Sequence, residues 1–361
     1  MISLDKVKIH APAGDSRSLR AALENGADVV YFGFNTASNL RNFKGLNFSV
    51  AEAEDAVAYA HKLNRRAHIT INNYPQANEL HDCYSAVDEA YRLDADAVIL
   101  SDLAVLSYAR SNYPELPINI SCQAGVSNMQ SLNFYKNEFG VNHFILPRVL
   151  TLDEIAKLAA STESMIEIFV MGSLCINYEG KCYLSSYITG ESTNTIGTCS
   201  SPKFLSFEDN GALTFEMNGI KINQYQPEEL SIYPKIYGGR YKKEDAENLW
   251  IDNFLINRRQ ICKGRYWNDS LQTFDYSFNS VVYLNTLSIL PQIITAGVGA
   301  LKIEGRQRSF EYTGEAVRIL RKAVDSYYAD PSGFSFSGQD ESRLERLFKG
   351  LDPCKTCYLG K

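Results

Sequence analysis

The sequence has no apolar run approaching the ~18–20 residues that a membrane-spanning helix requires. Its first ten residues also lack a basic segment followed by an apolar one. Neither a bilayer-spanning helix nor a secretory leader is therefore expected, and a reducing cytoplasm is the expected compartment. Positive charge is not in excess: 36 Lys and Arg stand against 42 Asp and Glu, a formal net charge of −6. Those totals do not suggest a surface built to hold phosphate backbones, so nucleic acid is not the first partner expected. The first apolar run is not followed by a glycine-rich dinucleotide loop; Ala13, Gly14 and Asp15 stand there instead. The composition is not that of a disordered chain either. With 45% hydrophobic and 22% charged residues over 361 positions, it supports one large domain or two ordinary ones.

What the sequence does have is a repeat. Short apolar runs occur at residues 7–10, 28–33, 67–71, 97–100, 118–120, 143–146 and 166–170. Their β-branched and aromatic content, with turn residues on either side, is that of buried parallel strands. Helical spacing fills the intervals, at residues 16–25, 52–64, 79–93, 102–111, 128–138 and 152–160, with Ser127 and Thr151 as N-caps of the last two. The seventh helix is missing from its place and is expected at 284–296, before an eighth strand at 300–303 and an eighth helix at 311–327. Eight alternating strands and helices predict an α/β chain folded as a TIM-like (βα)8 barrel, with an open doubly wound sheet as the alternative. Residues 1–171 then supply strands 1–7. Residues 172–283 form a cysteine-containing insertion after strand 7, read as an irregular or β-rich cap over the mouth. Residues 284–330 complete the barrel, and 331–361 form a C-terminal tail with a CxxC.

Eight cysteines is a high count for a cytoplasmic chain, where spaced thiols point to metal or cluster ligands before disulfides. Cys175 leaves the C-terminal end of the seventh strand, the end at which barrel active sites lie. Cys182 and Cys199 follow after 7 and then 17 residues, among Gly172, Gly180, Gly190 and Gly197. Glycines allow a backbone to fold tightly around a bulky inorganic centre. Cys262 is the best fourth thiolate, and Arg258, Arg259, Lys263 and Arg265 around it would offset negative charge. Four cysteines suit an iron–sulfur cluster or structural zinc. Paired CxxC knuckles are missing from this set, which puts the cluster ahead of zinc and leaves unligated core thiols as the third reading. Cys354 and Cys357 read as incidental thiols of the tail or as contributors to a metal site. Cys83 reads as core, and Cys122 lies near the mouth.

Other polar residues converge on the mouth: Asn72, Asn73, Asp102, Gln123, Arg148, Glu304 and Arg306 from strand ends, and Asn39, Arg41 and Asn47 after the second strand. Two arginines there suit a dicarboxylate or phosphate, because guanidinium forks bind such oxygens bidentately. The competing reading is a structural ion pair, such as Glu304 with an arginine. His68, inside a strand, reads as a core histidine.

The block 167–186 and the stretch Lys302–Ser309 resemble the two hallmarks of peptidase family U32, and the resemblance extends over roughly residues 7–330. Within the family, Gly172–Ile176, Cys182–Tyr187 and Cys262–Tyr266 are similar to the UbiU branch. The resemblance implies a 4Fe–4S cluster on Cys175, Cys182, Cys199 and Cys262, and a heterodimer with a UbiV-like protein. It also implies oxygen-independent hydroxylation in ubiquinone biosynthesis, with prephenate as hydroxyl donor and a quinone precursor delivered by a lipid-binding protein. Arg148 and Arg306 would then anchor the donor, with Glu304, Asn72, Gln123 and Arg41 around it. The alternatives are an RNA base hydroxylase of the same family, a collagenase-like peptidase, and a non-catalytic scaffold bearing the cluster. No Ser/His/Asp or Cys/His set stands out to support the peptidase.

Overall fold

A computed structural model describes residues 6–40, 46–175, 177–184, 186, 192–195, 283–348 and 358, together with the backbone of short strands between 205 and 282 and at 352–354. Seven strands, β1 (Lys8–Pro12), β2 (Val29–Phe32), β3 (Arg66–Ile71), β4 (Ala97–Leu100), β5 (Ile118–Ile120), β6 (His143–Ile145) and β7 (Met165–Ser173), pair in parallel, each with the next. The backbone then forms a three-stranded antiparallel sheet, β8 (Leu205–Phe207), β9 (Ala212–Met217) and β10 (Ile220–Tyr225). A hairpin follows, β11 (Tyr266–Asn268) with β12 (Thr273–Asp275), and then β13 (Val282–Asn285) and β14 (Ala300–Ile303). Ala300 lies in register with Glu167 of β7 on one side and Lys8 of β1 on the other, so β14 closes a barrel of eight parallel strands. This is the TIM-like (βα)8 fold.

The strands are short because both faces are covered: β2 and β4 are buried at every position. Six helices alternate with the first seven strands: α1 (Ser16–Glu24), α2 (Val50–Lys62), α3 (Leu80–Arg92), α4 (Leu103–Asn112), α5 (Met129–Phe139) and α6 (Leu152–Ala160). Each buries one stripe. In α2 the stripe is Ala53, Ala56, Val57 and Ala60, small residues that let the helix lie close on the sheet. Ser49 with Glu52, and Thr151 with Glu154, form reciprocal capping boxes that start α2 and α6. Asn128, not Ser127, caps α5, its side chain accepting from the Ser131 amide.

The expected helix at 284–296 divides in two. Its first residues belong to β13, which runs antiparallel to the end of β7 with Leu284 opposite Gly172. Asn285 then turns the chain by accepting the Leu287 amide, and Pro291 opens the short helix α7 (Leu290–Thr295). The change falls inside the mostly apolar stretch 282–294, where composition does not distinguish a buried strand from a buried helix. The described residues of the C-terminal segment pack against the barrel. After α8 (Phe310–Ala329), the helix α9 (Gly338–Leu347) packs on α8, and β15 (Asp352–Cys354) pairs with β13. Tyr358 is buried, its hydroxyl donating to the Phe169 carbonyl of β7 at 2.8 Å. No helix among the described residues is long and apolar enough to cross a membrane.

Candidate functional site

The C-terminal ends of the strands carry the chemistry expected of them. Arg148, just beyond β6, has a largely covered side chain and directs its Nε to Oε1 of buried Glu179 at 2.7 Å. Its Nη1 donates to the Ser173 carbonyl at the end of β7, and its guanidinium lies over the Phe169 ring, 4.6 Å from the centroid. Burial opposes the positive charge of Arg148, but the Glu179 carboxylate, with Cys175 and Cys122 beyond it, more than restores it and holds the guanidinium firmly protonated. Arg148 thus ties the loop after β7 to the end of β6.

The same loop is fastened to the turn that follows β5. Tyr178 donates to the Gly125 carbonyl at 3.0 Å, and Gly180 packs so tightly on the Gln123 carbonyl that a Cβ there would stand 2.0 Å from the oxygen. The carbonyl of Gln123 also accepts the Tyr74 hydroxyl at 2.6 Å. Cys175 and Cys182 sit on this fastened loop as free, partly buried thiols. Burial pushes the Cys175 thiol up, while the nearby Arg148 works to lower it, and Cys182 is close enough to add its own repulsion. The Asn177 amide reaches Cys182 Sγ at 3.4 Å, and the Asn194 amide donates to the Cys182 carbonyl at 3.1 Å.

On the other flank of β7, the Glu304 carboxylate accepts the Ser173 amide at 2.9 Å. This approach requires Gly172, whose φ of +126° is open to glycine and whose missing Cβ would stand 2.6 Å from the Glu304 Cβ. Arg308 donates to the Ser173 hydroxyl at 3.2 Å. Arg306 points elsewhere: its Nη1 meets Thr70 Oγ1 at 2.9 Å, Asn39 Oδ1 at 3.1 Å and Asn47 Oδ1 at 3.4 Å. Asn72 bridges β3 and β5, donating to Ser121 Oγ at 3.1 Å and accepting the Leu40 amide at 3.3 Å. Asp102 caps α4, and His68 is a buried partner of Asn119 at 3.1 Å.

The structure therefore gathers Arg148, Glu304, Cys175 and Cys182 around the end of β7, and Arg306 with Asn39 and Thr70 on the β2–β3 side. Cys199, Cys262 and Arg41 lie outside the described residues. The donor chemistry fits a thiolate-bound inorganic group, because two unlinked thiols share one pinned loop beside a buried guanidinium able to offset thiolate charge. The sequence reading missed Glu179 and Arg308. Glu179 was visible, two residues before Lys181 in the signature block, but nothing in a linear pattern says that its carboxylate turns back to a strand end thirty residues upstream.

The model of peptidase family U32 matches residues 14–361. The chain belongs to that family. It is 29% identical over 347 residues to tRNA hydroxylation protein P of Haemophilus influenzae, covering 95% of this chain and 71% of that one. It is 29% identical over 202 residues to the Escherichia coli 23S rRNA 5-hydroxycytidine C2501 synthase, covering 55% of this chain and 29% of that one. It is also 24% identical over 358 residues to a collagenase of Porphyromonas gingivalis, covering 96% and 72%.

Proposed function

We propose that this chain is an oxygen-independent hydroxylase of family U32 that modifies an RNA base, with a 4Fe–4S cluster held by Cys175, Cys182, Cys199 and Cys262. The observation that carries the reading is the pinned loop after β7. It presents Cys175 and Cys182 at the catalytic end of a TIM barrel, beside the buried Arg148–Glu179 pair. Relatives named for tRNA and rRNA hydroxylation support RNA as the acceptor. So does a feature hidden by the acidic total: residues 235–265 hold eight Lys and Arg against four Asp and Glu, interleaved with Tyr237, Tyr241, Trp250 and Phe254. Basic residues track a phosphate backbone, and aromatic faces stack on bases.

The cluster would supply one-electron redox chemistry when bound. The chain's own residues do the rest. Arg148 and Glu179 hold the ligand loop against β6, and Glu304 fixes the Ser173 amide. The Nη1 contacts to Thr70, Asn39 and Asn47 hold the Arg306 guanidinium in one orientation at the mouth, where it would bind one carboxylate of a small dicarboxylate donor such as prephenate. The second reading keeps the quinone precursor as acceptor, with a UbiV-like partner and a lipid-binding protein delivering the precursor. It rests on the resemblance of Gly172–Ile176, Cys182–Tyr187 and Cys262–Tyr266 to the UbiU branch. Either reading sets the chain in the cytoplasm, and neither uses peptidase chemistry.

Deleting the gene and analysing total RNA nucleosides and quinones by mass spectrometry, after anaerobic growth, tests both. We expect one hydroxylated nucleoside to vanish and to return with the wild-type chain but not with Cys175→Ala. Loss of ubiquinone with an unchanged nucleoside profile would overturn the RNA reading in favour of the second.

A further inference from the structure

The opposite end of the barrel holds a second constellation, which the mouth does not use. His10 of β1, His143 of β6 and Glu167 of β7 converge at the N-terminal end of the strands, each offering one ligand atom within 4.8 Å of the others. The Glu167 carboxylate is fully buried and divided between two tasks. Its Oε1 accepts Lys302 Nζ of β14 at 2.7 Å, and its Oε2 lies 2.5 Å from His143 Nε2 and 2.9 Å from His10 Nδ1. His10 Nδ1 is nevertheless buried without an aligned hydrogen bond: it is near Oε2 but off the line that a shared proton needs. A buried ring nitrogen without an aligned hydrogen bond is costly unless another partner, such as a bound ion, takes its lone pair. The His68 ring lies 5.4 Å from His10 but belongs to a different pairing, with its Nδ1 against Asn119.

We propose that His10 Nδ1, His143 Nε2 and Glu167 Oε2 form a divalent transition-metal site of the zinc class, with Lys302 as the outer partner that orients the carboxylate. Two imidazoles and one carboxylate are a recurrent donor set for such ions, and leave further coordination positions for water. Lys302 acts on the oxygen that the metal does not use, and its ammonium is held over the Tyr31 ring at 3.8 Å. An entry path exists. A cavity of about 650 Å³ opens on this face, lined among others by His10, His68, Asn119 and His143. Metal bonds of about 2.0–2.1 Å set donors farther apart than the present hydrogen-bond distances. Binding therefore moves Glu167 Oε2 away from both imidazoles, most of all from His143, and releases the proton held between His143 and Glu167 in exchange for the ion. The inference concerns the floor of the barrel and does not rest on the reading of the mouth.

The test is a Co²⁺ titration of the untagged full chain, prepared anaerobically so that any cysteine-bound group is retained. Visible spectroscopy and thermal denaturation follow the titration. We expect a stoichiometric component with weak visible bands and no thiolate charge-transfer absorption, accompanied by a rise in Tm. His143→Gln and His10→Gln should each weaken that component at least tenfold, while circular dichroism shows both folded. Two variants guard against the failure of one to fold. Equal titration of wild type and either folded variant, or Co²⁺ uptake seen only through thiolate bands, would overturn the proposal.

Discussion

Arg148 and Glu179 come from segments 31 residues apart and meet in a buried ion pair, Nε to Oε1 at 2.7 Å. This pair joins the end of β6 to the loop that carries Cys175 and Cys182. Removing one partner of a buried pair leaves an uncompensated charge, at a cost of about 3–5 kcal/mol. We expect Glu179→Gln to lower Tm and to reduce iron and sulfide retained in anaerobic preparations. Arg148→Lys should show a smaller loss of the same kind, because an ammonium cannot reach Glu179 and the Ser173 carbonyl together as a guanidinium does. Unchanged iron content in both variants would show that the loop holds its shape without the pair.

Gly172 admits Glu304 to the Ser173 amide. Gly172→Ala puts a methyl group 2.6 Å from the Glu304 Cβ, on a backbone at φ +126°. The backbone conformation alone costs about 1–3 kcal/mol for an L-residue. Calorimetry should therefore show a clear fall in Tm, and Gly172→Ser should behave like Gly172→Ala, since the strain lies at Cβ.

The thiols separate by environment. Cys83 is buried in α3, where burial pushes its pKa up to about 12, and it sits against Asn73. Cys83→Ala should cost about 1 kcal/mol as a small cavity and leave the visible spectrum of anaerobic protein intact. Cys175→Ala and Cys182→Ala should bleach it. Zinc without sulfide in the wild-type preparation would remove the cluster from the reading.

Asp340 of α9 anchors the C-terminal segment to α8 through Lys322, at 2.6 Å, and Arg318, at 3.5 Å. Burial alone would raise its pKa, but the two cations overcome this and hold it below the usual carboxylate value. A depressed carboxylate contributes stability that is present above its unfolded pKa and lost as pH falls through the folded one. Lys322 is more than half exposed, which limits the contribution to about 1 kcal/mol. Asp340→Asn should thus lower Tm near pH 7, and the difference from wild type should vanish as the pH falls below the ordinary aspartate range.

How much of this was legible beforehand follows from the kind of order involved. Local periodicity determined the α/β class, since short apolar runs with amphipathic intervals can bury both strand faces only in a parallel sheet covered by helices, and Thr151 carries its capping function in its immediate neighbours; that the sheet closes rather than stays open was decided by β14 pairing with both β1 and β7. The spacing of Cys175 and Cys182 likewise put them beyond β7 without any three-dimensional information. Where an apolar run changed structure, as at 284–296, composition could not show it. The partners of charged groups were hidden too. Arg306 lies just beyond β14 and is oriented by Asn39, Asn47 and Thr70, more than 230 residues away, while Glu304 reaches Ser173 at the end of the neighbouring β7. His10, His143 and Glu167 show no spacing at all in the chain. They meet because barrel closure puts β1, β6 and β7 around one axis, and such convergence depends on strand register, which no local pattern encodes.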